Sequence, residues 1–289
     1  MLGLKRGAVM LCEHEKAWER EAEQTILRLK KILGAAARDI QHIGSTAVVS
    51  IKAKPIIDIA VEADSFAEVL SYKDELNKAG FYYRPDAGPR EQLLFACGSY
   101  YDGTGDLQTH FIHVVLCGSI DWINYINFRD YLNKKPEAAK AYETLKLSLA
   151  AKLPENCGRE EYVKGKHDFI VYILRKALAD SYLGRTVEIK IDRPKGSAHP
   201  KHPDMIYPVN YGYIPGVQGG DGEELDVYLL GVDTPQQKYL CRIIGIVHRK
   251  NDNEDKLIAA PPGMMISKED AESSVSFQEQ YFVTETELL

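Results

Sequence analysis

Three carboxylates, Asp221, Glu223 and Asp226, fall close together in the run Gly219-Gly-Asp-Gly-Glu-Glu-Leu-Asp-Val-Tyr-Leu-Leu. The glycines permit a tight turn. At extended spacing Asp221 and Glu223 lie on one side, and Asp226 enters the strand that follows. Such hard oxygens suit Mg²⁺, which shares a few carboxylates with waters and substrate phosphates in octahedral geometry. An ion held this way lowers the pKa of a bound water and neutralises charge on a leaving phosphate. Further along, His248-Arg-Lys-Asn-Asp252-Asn-Glu254-Asp255-Lys256-Leu-Ile supplies more acids for a metal cage, and Arg249 and Lys256 for phosphate oxygens. The residue types leave two other readings open, a calcium-type loop and a solvated hairpin. The spacing departs from the DxDxDG pattern of an EF-hand loop. His199, His202 and His248 are read as surface or hydrogen-bonded residues rather than ligands.

A second constellation lies near the other end: His42-Ile-Gly44-Ser45-Thr46, then Lys54-Pro-Ile-Ile-Asp58-Ile-Ala-Val-Glu62. A strand here delivers a Gly-Ser turn whose amides and hydroxyls can approach a phosphate. Asp58 then falls within an apolar strand, where an unpaired carboxylate is costly unless it serves a metal or a cation. A salt bridge from Asp58 to Lys54 or Arg129 is the plainer alternative.

The elements that must position these groups change character near residues 179–185. Before that seam, helical spacing runs through 14–33, with Trp18, Ala22, Ile26, Leu29 and Ile32 on one stripe. Further helices are predicted over 72–79, 120–133, Pro136–Lys152 and 160–179. Strand-like runs at 56–62, Leu93–Cys97 and 111–117 alternate with them, which predicts an α/β or α+β domain. After the seam, short strands at 186–191, 226–231, 240–247 and Lys256–Ala260 are punctuated by Arg-Pro-Lys-Gly, Tyr-Gly-Tyr-Ile-Pro-Gly and Gly-Gly-Asp-Gly, with one helix over 267–274. That texture predicts a small barrel or sandwich. Two domains, 1–181 and 182–289, are expected from the 289 residues.

Charge is divided unequally. From Leu183 onward there are 11 Lys and Arg against 17 Asp and Glu, which accounts for the whole net charge of −6. An acidic domain suits hard cations and argues against a nucleic-acid partner, which needs a basic stripe. No apolar run is long enough to span a bilayer. The first dozen residues read as a strand or arm rather than a signal peptide. Five widely spaced cysteines without a CxxC pair fit reduced thiols in a cytoplasm. The oligomeric state is left open.

Tyr207-Pro-Val-Asn-Tyr-Gly-Tyr-Ile, Asp221-Gly-Glu-Glu-Leu-Asp226-Val and Asp255-Lys256-Leu-Ile-Ala-Ala-Pro, in that order and spacing, resemble the soluble (family I) inorganic pyrophosphatases. The resemblance implies a small OB-like barrel and a Mg²⁺ site, with Mn²⁺ a possible substitute. By match, Asp221, Glu223 and Asp226 bind activating metals, and one of them helps generate the nucleophilic hydroxide. Asp252 and Glu254 or Asp255 form a second metal-binding pair, and Lys256 binds phosphate. Tyr211 lies near the substrate, and Glu188 is the early-strand glutamate of the site. Glu223 stands where the family has an aspartate. The early hairpin is shortened to Arg193-Pro-Lys-Gly-Ser-Ala-His-Pro-Lys-His, with Arg193, Lys195, His199 or Lys201 as substitutes for its phosphate donors.

The Gly44-Ser45 stretch, His110-Phe-Ile-His113-Val, Asn127-Phe-Arg129-Asp130, Tyr142-Glu-Thr-Leu-Lys146 and Tyr162-Val-Lys-Gly-Lys166 resemble the GrpB family, which is similar in fold to nucleotidyltransferases. By match, Gly44 and Ser45 hold nucleotide phosphates and Asp58 holds a metal. The second strand carboxylate of nucleotidyltransferases is Ala60 here, with Glu62 two residues on. The expected function is hydrolysis of pyrophosphate by the C-terminal domain, joined to a nucleotide- or phosphate-binding, nucleotidyltransferase-like domain; hydrolysis would pull nucleotidyl transfer forward. A non-catalytic regulatory binder and a hydrolase of a larger phosphoanhydride are the alternatives.

Overall fold

The structure is a computed structural model, described here for residues 1–87, 91–154, 158–219, 222–252 and 254–289. It divides into two compact units, Met1–Ile173 and Leu174–Leu289.

The N-terminal unit is built on a five-stranded sheet. Its strands are β1 (Asp39–Ile43), β2 (Ile57–Ala63), β3 (Tyr82–Tyr83), β4 (Leu93–Cys97) and β5 (His110–Leu116), in the order β1-β2-β5-β4-β3. Only β2 and β5 run parallel, with Ile59 opposite Ile112 and Ala60 opposite His113. Helix α1 (Lys16–Leu33) buries Trp18, Ala22, Thr25, Leu29 and Leu33, spaced three or four apart. That stripe packs on Ile57, Ile59, Val61, Phe95 and Val114 of the sheet. Full burial of such side chains stabilises the unit by about 1.5–3 kcal/mol each.

Helices α2 (Phe66–Ser71) and α3 (Lys73–Lys78) follow β2, and α4 (Ile120–Lys134), α5 (Pro136–Lys152), α6 (Arg159–Gly165) and α7 (His167–Tyr182) follow β5. The single helix expected over 160–179 is two helices, broken at Lys166. Helix α2 was not expected; Ser65 caps it by accepting from the Glu68 amide. A second cluster joins Val48 and Ile51 to Leu132, Ala139, Tyr142 and Ile173. This is the α/β domain expected of the sequence.

The C-terminal unit is a closed barrel. Strands β6 (Thr186–Arg193), β7 (Asn210–Gln218), β8 (Glu224–Leu229), β9 (Lys238–Arg249) and β10 (Lys256–Ala260) pair in the order β10-β8-β7-β6-β9, and β9 pairs back onto β10. Only β8 and β10 are parallel. β11 (Thr284–Leu288) adds to β9 beyond the closure. Ile189, Ile191, Ile214, Leu225, Val227, Ile243 and Leu257 fill the interior. Outside, Tyr207, Tyr211 and Tyr228 pack with Ala271 and Val275 of helix α8 (Lys268–Glu279).

Strand β7, like β11, was concealed by the sequence, since Tyr-Gly-Tyr-Ile-Pro-Gly reads as punctuation. Its glycine is a packing requirement: a Cβ at Gly212 would stand 1.9 Å from the Lys190 carbonyl oxygen on β6. Its proline lies where the β7–β8 register shifts, between Tyr213 and Gln218, so no ladder bond is lost. Asn210, fully buried, accepts from the Lys195 and Gln236 amides (both 3.0 Å) and donates to the Val232 and Thr234 carbonyls. The Asn-Tyr-Gly triplet therefore ties together the loops on either side of the strand.

Candidate functional site

Alternation along β8 sends Leu225 and Val227 into the barrel and Asp226 and Tyr228 to its outer surface. Lys256, at the start of β10, reaches the same surface. Its ammonium donates to both Asp226 Oδ2 and Glu254 Oε2. Burial opposes its charge, but the two carboxylates outweigh burial and hold the lysine above its ordinary pKa. Tyr211, on the neighbouring strand, hydrogen-bonds Asp226; burial and that carboxylate push its hydroxyl well above the usual phenol range. Four of the expected residues, Tyr211, Asp226, Glu254 and Lys256, thus converge.

Asp192 joins them without having been singled out. It lies near the end of β6, where Tyr211 pairs with Arg193 and Gly212 with Ile191. Burial raises its pKa, Arg193 at 2.5 Å opposes this, and nearby Asp226 raises it further. Arg193 also hydrogen-bonds Tyr207, so one proposed substitute for the shortened hairpin reaches the site. The hairpin is a short ladder, Ala198–His199 against His202–Ile206. Of the other substitutes, Lys195 pairs with Asp233 at 2.6 Å, and the Lys201 amide bonds His199 Nδ1 at 3.1 Å.

The remaining expected residues are placed elsewhere. Asp255 turns away from its neighbours and accepts from Lys176 (2.5 Å), His248 Nδ1 (2.6 Å) and the Arg249 amide (3.2 Å). Those partners hold its carboxyl below the ordinary range despite burial. Asp252 accepts from Arg249 at 2.9 Å, and Arg249 forks onto Glu279 at 2.9 and 2.6 Å. Glu188 is exposed and faces Lys238 at 3.4 Å. Glu223 is exposed in the β7–β8 turn, and its carbonyl takes the Gly219 amide at 2.7 Å. Asp221 lies outside the described residues. Among the described residues no three acidic, histidine or cysteine side chains form a ready-made metal cluster.

The N-terminal unit presents the opposite charge. Gly44 follows β1 at φ +70°, and a Cβ there would stand 2.6 Å from Asp58 Oδ2, so the Gly-Ser turn lies directly against the strand acid. Asp58 faces His113 Nε2 at 3.6 Å. Burial alone would raise its pKa; His113, Lys54 and Arg159 outweigh burial and hold it low. The alternative partner Arg129 instead donates to Gln41 Oε1 and the His42 carbonyl, both at 3.0 Å. Ala60 is buried in the sheet, and the Glu62 carboxylate accepts the Gly118 amide at 3.1 Å.

Beside the turn lies a cavity of about 90 Å³ lined by Ser45, Lys54, Asp58, Phe111, Arg159, Tyr162 and Lys166. Burial first, then Arg159 and Lys166, push Lys54 down to about 7, with Asp58 opposing. Burial also lowers Lys166 and Arg159. The sequence motifs contained Tyr162 and Lys166, but the reading through 160–179 as one helix hid that the break at Lys166 brings them to Ser45.

A family model described as GrpB protein matches residues 8–176. The chain belongs to the GrpB family. The GrpB segment is 37% identical over 177 residues to the Glutamate-rich protein GrpB of Alkalihalophilus pseudofirmus, covering 61% of this chain and 99% of that one. The crystal structure of the conserved protein GrpB from Enterococcus faecalis superposes with a TM-score of 0.53 at 29% identity, over 60% of this chain and 99% of that one. The inorganic pyrophosphatase family model matches residues 184–281. Within that segment, 67 residues are 37% identical to an inorganic pyrophosphatase of Xylella fastidiosa, which is 22% of this chain and 38% of the relative's length. Both resemblances drawn from the motifs hold, and so does the two-domain fold class.

Proposed function

We propose that the barrel of this GrpB-family protein hydrolyses inorganic pyrophosphate to phosphate in a Mg²⁺-dependent reaction, with Mn²⁺ able to substitute. The convergence of Tyr211, Asp226, Glu254 and Lys256 on one outer surface, in a segment matching the pyrophosphatase family, carries this reading. The donor chemistry fits a hard divalent cation. Asp226 and Glu254 are close enough to share one ammonium, and Asp192 is near enough to feel the charge of Asp226. Asp226 and Glu254, with Glu223 and the Asp221 expected from the sequence, would hold the metal. When bound it would supply an acidified water and neutralise charge on the leaving phosphate.

The protein's own groups supply the rest. Lys256 and Arg193 would hold phosphate oxygens, and donors aimed at developing charge give electrostatic stabilisation. An Asp226 oxygen takes the proton of the attacking water as the new P–O bond forms and the bridging P–O bond breaks. Tyr211, kept protonated far above neutral pH, orients Asp226 by donating to it. Purified protein should release phosphate from pyrophosphate with Mg²⁺, and Asp226→Ala should abolish the release. No release by the wild-type chain would end this reading.

We infer in addition that the GrpB unit binds a phosphate-bearing ligand beside Ser45. Two-metal nucleotidyl transfer lacks support in the side chains: Asp58 stands beside His113, position 60 is alanine, and Glu62 is engaged by a backbone amide.

A further inference from the structure

The Ser45 cavity does not end at its own walls. Phe111 and Arg159 also line a larger basin of about 660 Å³, with Arg6, Arg84, Leu94, Tyr100, Tyr101 and Gln108 among its residues. The small cavity has room for about three waters at about 30 Å³ each, the scale of one tetrahedral oxyanion. Among the described residues, three cations and one carboxylate, Asp58, line it. The ammoniums of Lys54 and Lys166 both lie over the Tyr162 ring, at 5.2 and 4.8 Å. Among the described residues neither ammonium has a carboxylate within salt-bridge reach. Cations gathered around a single acid that is already turned to His113 call for an anion rather than a metal.

The basin has a different chemistry. Arg84 lies over Tyr101 at 5.2 Å, Arg6 over Tyr100 at 5.3 Å and Arg159 over Phe111 at 5.0 Å. Arg159 Nη1 donates to Gln108 Oε1, and the Gln108 amide donates to the Tyr101 hydroxyl, both at 2.5 Å. Flat rings, guanidinium planes and a side-chain amide suit a planar, polar-edged organic group. Among the described residues two acids, Glu160 and Glu161, line the basin against the three arginines Arg6, Arg84 and Arg159, and Glu160 is engaged by Lys164 at 2.8 Å.

Resting on the reading that this unit binds phosphate, we propose that it is a metal-independent receptor for a nucleoside phosphate. The terminal phosphate sits among Ser45, Lys54, Arg159 and Lys166, and the nucleoside lies in the Arg6–Arg84–Tyr101 basin. Recognition is by direct cation contact, in place of the metal bridge that carboxylate-lined phosphate sites use.

Calorimetry on the full-length chain in EDTA tests this, with inorganic phosphate, pyrophosphate, a nucleoside monophosphate and a nucleoside triphosphate as probes. Nucleoside phosphates should bind in EDTA and more tightly than inorganic phosphate. Lys54→Gln, and separately Lys166→Gln, should weaken them about 10- to 100-fold, the effect of removing one charged hydrogen bond. Arg84→Ala should weaken nucleoside phosphates several-fold and leave inorganic phosphate unaffected. Asp226→Asn, in the barrel, should retain the EDTA-resistant binding, which places it in the GrpB unit. Thermal unfolding of each variant identifies any that fails to fold. Binding that appears only with Mg²⁺ would overturn metal independence while sparing the phosphate reading. EDTA-resistant binding insensitive to both lysine variants would overturn the assigned location, and no binding under either condition would overturn both.

Discussion

The two units gather opposite charges around their sites. On the barrel, two carboxylates close on one lysine, with Asp192 beside one of them; in the GrpB unit, two lysines and an arginine surround one aspartate. An acid-rich surface attracts a hard cation first, and through it a phosphate. A cation-rich cavity attracts the phosphate directly. The same ligand chemistry is thus approached in two ways within one chain, and each way predicts its own response to a chelator and to mutation.

The largest effect should come from the barrel. Lys256→Ala removes a phosphate donor and leaves Asp226 and Glu254 facing one another, so phosphate release should fall by about 10²–10³-fold. An equal loss of nucleotide binding in EDTA would break the distinction between the sites. Next, Gly212→Ala forces a Cβ against the β6 backbone and should cost the barrel about 3 kcal/mol or more, read from denaturant unfolding. A change below about 1 kcal/mol would show that β6 and β7 need no such close approach.

The smallest expected effect is a proton. Lys54 is faced by Arg159 from α6, Lys166 from the α6–α7 junction, Lys146 from α5, Asp58 from β2 and the Tyr162 ring. Its ammonium is pushed down to about 7, so at about pH 8 it is mostly neutral in the free protein. A bound phosphate raises that pKa, and binding at about pH 8 should take up a fraction of a proton. At about pH 6 the lysine is already charged and uptake at this group should vanish. Calorimetric enthalpies at the higher pH should therefore vary with the ionisation enthalpy of the buffer. No variation would remove Lys54 from the site.

The sequence disclosed those parts of the molecule that depend on short-range pattern. Asp226, Glu254 and Lys256 sit in polar runs whose residue types pointed to a cation and phosphate site, Tyr211 entered through the resemblance to the pyrophosphatases, and helix Pro136–Lys152 and strands Leu93–Cys97 and Lys256–Ala260 match to the residue. What stayed hidden depends on pairing across the chain. Asp192 reaches Asp226 through the β6–β7–β8 register, and its one sequence signal was the polar alternation Glu188, Lys190, Asp192 against buried Ile189 and Ile191. Arg159 was missed because periodicity ran through the break at Lys166 that sets the cationic cavity. Asp255 was grouped with Glu254 by adjacency, yet consecutive side chains diverge at the entrance to a strand; Asp255 went to Lys176 and His248 instead.

The most direct test of the barrel site is phosphate release from pyrophosphate by the full-length protein, with Mg²⁺ and then with EDTA, beside Asp226→Ala. Steady release with the metal, and none with the chelator or the variant, is the predicted result. Release that persists in EDTA or in Asp226→Ala, or no release by the wild-type protein, would contradict it.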